Sequence, residues 1–135
     1  MNEQIVSILK RYFPELQAVY LFGSHGTEYE YPGSDVDIAV LLPSAVAAQT
    51  TADSLLDCTT ELSSVLGKDV DLVNLRHANT VFQHEIIFNS TLIHVADQYA
   101  VDVFEMITMS LYQKLNEERA AILADFINTR RAYSV

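Results

Sequence analysis

Apolar residues recur along the chain with two different spacings, and the change from one to the other marks out its elements. Ile5, Ile8, Leu9 and Tyr12 fall three and four apart, which predicts a helix over residues 2–13, with Asn2 as N-cap and Pro14 as its stop. Short apolar runs over residues 18–22 and 35–42 read as strands, separated by a loop that carries Gly26, Pro32 and Gly33. Pro43-Ser44 ends the second run and opens a helix over residues 45–66, stopped by Gly67. That helix is rich in Thr and Ser, so packing rather than propensity must hold it. Residues 68–75 alternate as a third strand, residues 79–88 form a short helix, and residues 91–95 an edge strand. Asp97 caps a closing helix over residues 98–130, with Ala100, Phe104, Ile107, Leu111 and Leu115 as its expected core stripe. Met106 and Met109 lie off that stripe, as peripheral packing or as an interaction surface. The order predicts an α/β fold, a small mixed β-sheet flanked by helices with a long C-terminal helix.

Composition narrows the class. At 135 residues with half of them hydrophobic, the chain reads as one domain with a substantial core rather than a disordered segment. No apolar run approaches the roughly 18 residues of a membrane span, and no basic-then-apolar leader opens the chain. Cys58 stands alone, so neither an internal disulfide nor a cysteine zinc cluster is available, which fits a reducing cytoplasm. Eight Lys and Arg against 18 Asp and Glu give a formal charge of −10. That surface repels nucleic-acid backbones, no basic cluster longer than Arg130-Arg131 relieves it, and a basic protein is the better-matched partner. Asp53, Asp57 and Glu61 recur every four residues and read as a solvated helix face rather than a second metal site.

The chemistry concentrates where the first two strands meet the loop. Gly23 and Ser24 end the first strand, and Asp35 and Asp37 begin the second. With a repeat of two, both carboxylates face one side of the sheet while Val36 and Ile38 face the other. Two carboxylates about 5 Å apart at an effective dielectric of about 20 repel by roughly 3 kcal/mol. Such a pair wants a counter-charge, and magnesium suits it, since that ion enters through one or two carboxylates plus substrate phosphates. Gly23 leaves room for a phosphate to approach the backbone, and Ser24 adds a hydroxyl donor. These residues together describe a site for a metal-bound nucleoside triphosphate.

The pattern Gly23-Ser24, ten residues, Asp35-Val36-Asp37 resembles the signature of the DNA polymerase β-like nucleotidyltransferase superfamily, in particular its minimal nucleotidyltransferase (MNT) members. The resemblance covers residues 17–95, implies the polymerase β-like fold for residues 1–135 as a single MNT domain, and brings a third carboxylate from a neighbouring strand. Asp71 is the best match for that carboxylate, with Asp69 in reserve. By the same resemblance Asp35, Asp37 and Asp71 hold a pair of magnesium ions, Gly23 and Ser24 contact the outgoing phosphates, and Asp71 helps deprotonate the acceptor. The chain departs from many MNT sequences just after Gly-Ser, where it reads His25-Gly26-Thr27 in place of an Ala-Arg-Gly-like segment. Acidic Glu28 and Glu30 follow, which leaves open how the phosphate charge is balanced and whether His25 contributes.

Short MNT proteins resemble the antitoxin halves of HEPN/MNT toxin–antitoxin pairs. The resemblance implies transfer of AMP from ATP onto a tyrosine of a HEPN ribonuclease partner. Two other readings compete: a nucleotidyltransferase acting on a small molecule such as an aminoglycoside, and a non-catalytic antitoxin that masks its toxin sterically.

Overall fold

The computed structural model describes residues 1–23 and 35–133, without the side chains of 131–133. Four strands form one mixed sheet in the order β3-β2-β1-β4: β1 (Ala18–Phe22), β2 (Val36–Leu41), β3 (Val70–Asn74) and β4 (Thr91–Val95). β1 runs antiparallel to both β2 and β4, whereas β2 and β3 are parallel. The parallel pair needs a crossover, and helices α2 (Ser44–Gln49) and α3 (Ala52–Leu66) supply it. Helix α1 (Asn2–Tyr12) precedes the sheet, α4 (Thr80–Asn89) joins β3 to β4, and α5 (Gln98–Tyr133) follows β4.

The period of two divides the sheet into two apolar faces. Val19, Leu21, Ile38, Val40 and Leu72 meet Ile5 and Leu9 of α1 and Cys58 and Leu62 of α3. On the opposite face Tyr20, Ala39 and Leu41 meet Ile86 of α4 and Val101 and Phe104 of α5. A short 3₁₀ turn, Leu75–His77, closes β3 early, and Arg76 in it ties three elements together. Its Nε donates to the carbonyl of Leu42 and its Nη2 to Oε1 of Gln17 at 2.8 Å, while the guanidinium lies 5.4 Å from the Phe104 ring centre.

Three expectations need correction. The helix expected over residues 45–66 is two helices. Thr50 turns its hydroxyl back onto the Val46 carbonyl (2.7 Å), and Thr51 is extended and accepts from the Ser54 N–H (3.2 Å), so one threonine ends α2 and the next caps α3. Ser44 stands in the first turn of α2, with Pro43 at the cap position. In α5 the buried row is Val101, Phe104 and Thr108, at 1 %, 6 % and 2 % exposure, whereas Ile107 and Leu111 of the expected stripe stand about half exposed. Thr108 reads as polar, yet its methyl and helix-compatible hydroxyl let it face the core, which rotates the true stripe away from the expected one. Met106 and Met109 are exposed and stand outside the core. Finally, Glu61 is not simply solvated: it pairs with Arg11 and accepts from the Tyr12 hydroxyl at 3.1 Å, joining α3 to α1. Among the described residues no helix is long and apolar enough to cross a membrane.

Candidate active site

At one end of the sheet β1 stops while β2 and β3 begin, and the register brings their chemistry into one row. Phe22 pairs with Asp37 across β1 and β2, and Asp37 pairs with Asp71 across β2 and β3. Neighbouring residues in register project to the same face, so Asp37 and Asp71 stand side by side on the face shared with α4 and α5. Asp35 immediately precedes β2 and is exposed, as is Asp71; Asp37 is half-buried. Asp69 falls one step before β3, where its carbonyl accepts the Val36 N–H at 2.8 Å, so its backbone joins the two strands while Asp71 is the residue beside Asp37.

Gly23 closes over this row. Its φ of +79° lies in the left-handed region, and a Cβ built on it would fall 1.9 Å from Oδ2 of Asp37. Only glycine leaves that carboxylate its place. Burial pushes the Asp37 carboxyl above the usual carboxylate range, and the charges of Asp71 and then Asp35 push it further the same way. All three causes act against the charged form.

The carboxylates and Gly23 are therefore gathered at one sheet end, whereas Ser24, His25 and the Glu28 and Glu30 loop lie outside the described residues. Among the described residues no group of three His, Cys, Asp or Glu side chains is already closed into a metal-binding cluster. The carboxylates at this sheet end are oxygen donors, the ligand type that magnesium takes together with water and substrate phosphates. Of the other histidines, His84 stacks on Tyr112 (3.6 Å between ring centres) and packs between α4 and α5, away from any ligand role.

One feature of the neighbourhood carries no signal in the sequence. Phe82 of α4 meets Phe22 edge to face, 5.8 Å between ring centres, and so stands next to the cross-strand partner of Asp37. Phe82 also walls an open cleft of about 570 Å³ with Thr80, Glu85, Leu115 and Arg119. Nothing in the spacing of residues 79–88 distinguishes Phe82 from the other apolar positions of a short helix.

A mixed sheet with this order, and a glycine closing over paired carboxylates at its end, is the architecture of a nucleotidyltransferase. The chain matches the polymerase beta nucleotidyltransferase family over residues 3–99, and it belongs to that family. The match begins within α1 and runs past β4, wider than the motif region itself.

Individual relatives are similar over almost the whole chain. The protein adenylyltransferase MntA of Shewanella oneidensis is 37% identical over 128 residues, spanning 93% of this chain and 87% of that protein. A crystal structure of a toxin–antitoxin with AMP-PNP superposes with a TM-score of 0.78 at 33% identity, covering 93% of this chain and 98% of the other. A tri-AMPylated Shewanella oneidensis HEPN toxin in complex with MNT antitoxin gives a TM-score of 0.74 at 33% identity, with 93% and 95% covered.

Proposed function

We propose that this chain is the antitoxin of a HEPN/MNT toxin–antitoxin pair and acts as a protein adenylyltransferase, moving AMP from ATP onto a tyrosine of its HEPN toxin and releasing pyrophosphate. The observation that carries the reading is the carboxylate row, Asp37 beside Asp71 with Asp35 one step before, closed by Gly23 in a chain similar to MntA along 93% of its length.

The residues divide the work as follows. Asp35, Asp37 and Asp71 form an oxygen-only donor set suited to magnesium, and burial, then the charges of Asp71 and Asp35, push the Asp37 carboxyl upward. Magnesium, when bound, neutralises the triphosphate and withdraws charge from its α-phosphorus. Asp35 and Asp37 would hold the magnesium to which the phosphates of the nucleotide bind. Gly23, without a Cβ, lets the phosphates reach the backbone, and Ser24 donates to them. Asp71 takes the proton of the tyrosine hydroxyl as its oxygen attacks the α-phosphorus. The new P–O bond forms as the bond to the β-phosphate oxygen breaks, and pyrophosphate leaves with that oxygen. The −10 surface draws in a basic partner from a distance and sets the encounter rate more than the final affinity. We take residues 1–135 as one domain, acting in the cytoplasm.

The test is the fate of the label. Incubation with the partner toxin and ATP labelled at the α-phosphate should leave the label on the toxin, and ATP labelled at the γ-phosphate should not. Transfer of the γ label would make the chain a kinase and sink the reading.

A further inference from the structure

We infer that the second half of α5 is the surface on which the acceptor protein docks; this rests on the adenylyltransferase reading and names where its substrate is held. The buried row of α5, Val101, Phe104 and Thr108, continues along the same helix face through Leu115, Ile122 and Phe126, because seven residues make almost two whole turns. Up to Leu115 the sheet, the Leu75–His77 turn and α4 cover that face. Beyond it none of the described residues does: residues 116–130 are all exposed, with Ile122 at 69 % and Phe126 at 59 %, and Leu123 and Ile127 exposed beside them. A helix of about 15 residues standing free in water is marginal by itself, so this extension gains from a covering surface.

The cleft walled by Phe82 joins that surface to the site. The helix starts beside β4, its Glu105 accepts from the Tyr20 hydroxyl of β1 at 3.5 Å, and its Phe104 lies against Arg76, just after β3. With the strands in the order β3-β2-β1-β4, α5 leaves the β4 edge and passes Arg76 on the face that Asp37 and Asp71 share, at the end of the strands opposite to them. The root of its free half, Leu115 and Arg119, shares a cleft with Thr80 and Phe82 at the start of α4. That Phe82 ring meets Phe22, the cross-strand partner of Asp37, which links the docking surface to the site.

Charge and area select the occupant. Lys114, Arg119, Arg130 and Arg131 against Glu117, Glu118 and Asp125 leave residues 113–131 at +1, and the remainder of the chain at −11. The four apolar side chains Ile122, Leu123, Phe126 and Ile127 offer a few hundred Å² at most, below the roughly 800 Å² per partner of a stable interface. Two copies joined by these tails would have to extend the contact onto bodies that repel one another. A basic acceptor protein can cover the tail and extend onto the acidic body with favourable charge.

The experiment uses the full chain with its partner toxin. Ile122→Asp/Phe126→Asp changes only exposed positions, and Ile122→Ser/Phe126→Ser repeats the test without added charge. Leu56→Asp on the exposed side of α3 serves as control. Calorimetry should show partner affinity reduced about 30-fold or more in both tail variants and unchanged in the control, as expected when anchor residues are lost. Transfer should fall in parallel, while ATP binding stays at the wild-type level. Partner affinity equal to wild type in both tail variants overturns the inference. So does a wild-type dimer in light scattering that the tail variants dissolve while still binding the partner, since a second copy would then be the occupant. Tail-dependent binding by a wild-type chain that transfers nothing would uphold the docking surface and remove the enzyme reading alone.

Discussion

Gly23 and Asp37 are fitted to each other: a single methyl group on the glycine would overlap Oδ2 of the aspartate, at 1.9 Å. The positive φ of Gly23 ends β1 and leads the chain away just where Asp37, paired with Phe22 at the end of the β1–β2 register, comes up beside it. Backbone shape and carboxylate position are one feature here.

Gly23→Ala should therefore lose transfer by about 100-fold or more, because a displaced carboxylate misplaces the reacting groups. Stability should fall by about 1 kcal/mol or more from the strained backbone. Steady-state kinetics with urea unfolding checks both, and an Ala variant of near wild-type activity would mean that Asp37 tolerates displacement.

The crowding of Asp37 has a pH signature. Its carboxyl is raised in the folded chain, by burial first and by Asp71 and Asp35 next, so the folded state holds that proton more tightly than the unfolded state. Ionisation at neutral pH thus opposes folding, and the penalty is relieved as pH falls through the raised value. Without divalent metal, Asp37→Asn should melt a few degrees above wild type at pH 7, with the gap narrowing as pH falls through the raised value and closing below the ordinary 3.8. A variant that melts lower at pH 7 would give Asp37 a structural role instead.

Much of this was legible before the structure. The bounds of β1, β4 and the start of α5 follow from alternation and from Gly, Pro and Asp punctuation, and Asp97 does cap α5, accepting the Ala100 N–H at 3.0 Å. The Asp-x-Asp spacing led to Asp37, which the register sets beside Asp71, whereas Asp35 falls one residue before β2, where a period of two no longer applies. What the sequence concealed depended on tertiary choice. Thr50 and Thr51 read as weak helix formers within one helix, whereas their hydroxyls end one helix and start another. Thr108 is buried in place of Ile107 because the register of α5 against the sheet, not the hydropathy of single positions, decides which row faces in. Phe82 gains its place beside the site only through the crossing of α4 over β1.

The two threonines give a test away from the chemistry. Thr51→Ala removes the side-chain cap of α3 and should cost about 1 kcal/mol in urea unfolding, with transfer activity unchanged. No loss of stability would mean that the break between α2 and α3 owes nothing to the cap.

Metal dependence tests the donor set. ATP binding followed by calorimetry should require magnesium and vanish with chelator, because Asp35, Asp37 and Asp71 repel a bare triphosphate. Tight metal-free binding would remove the carboxylates from that role.

The central claim is that this chain silences its partner by a covalent mark and not by occupancy. The direct measurement is to incubate the partner toxin with the chain, ATP and magnesium, separate the two at high salt, then weigh the toxin and assay its nuclease activity. High salt screens the electrostatic contact, so only a covalent change persists. The toxin should gain mass in whole AMP units, on tyrosine, and stay inactive, with neither effect for the Asp35→Ala/Asp37→Ala variant. An unmodified toxin that recovers its activity on separation would contradict the account.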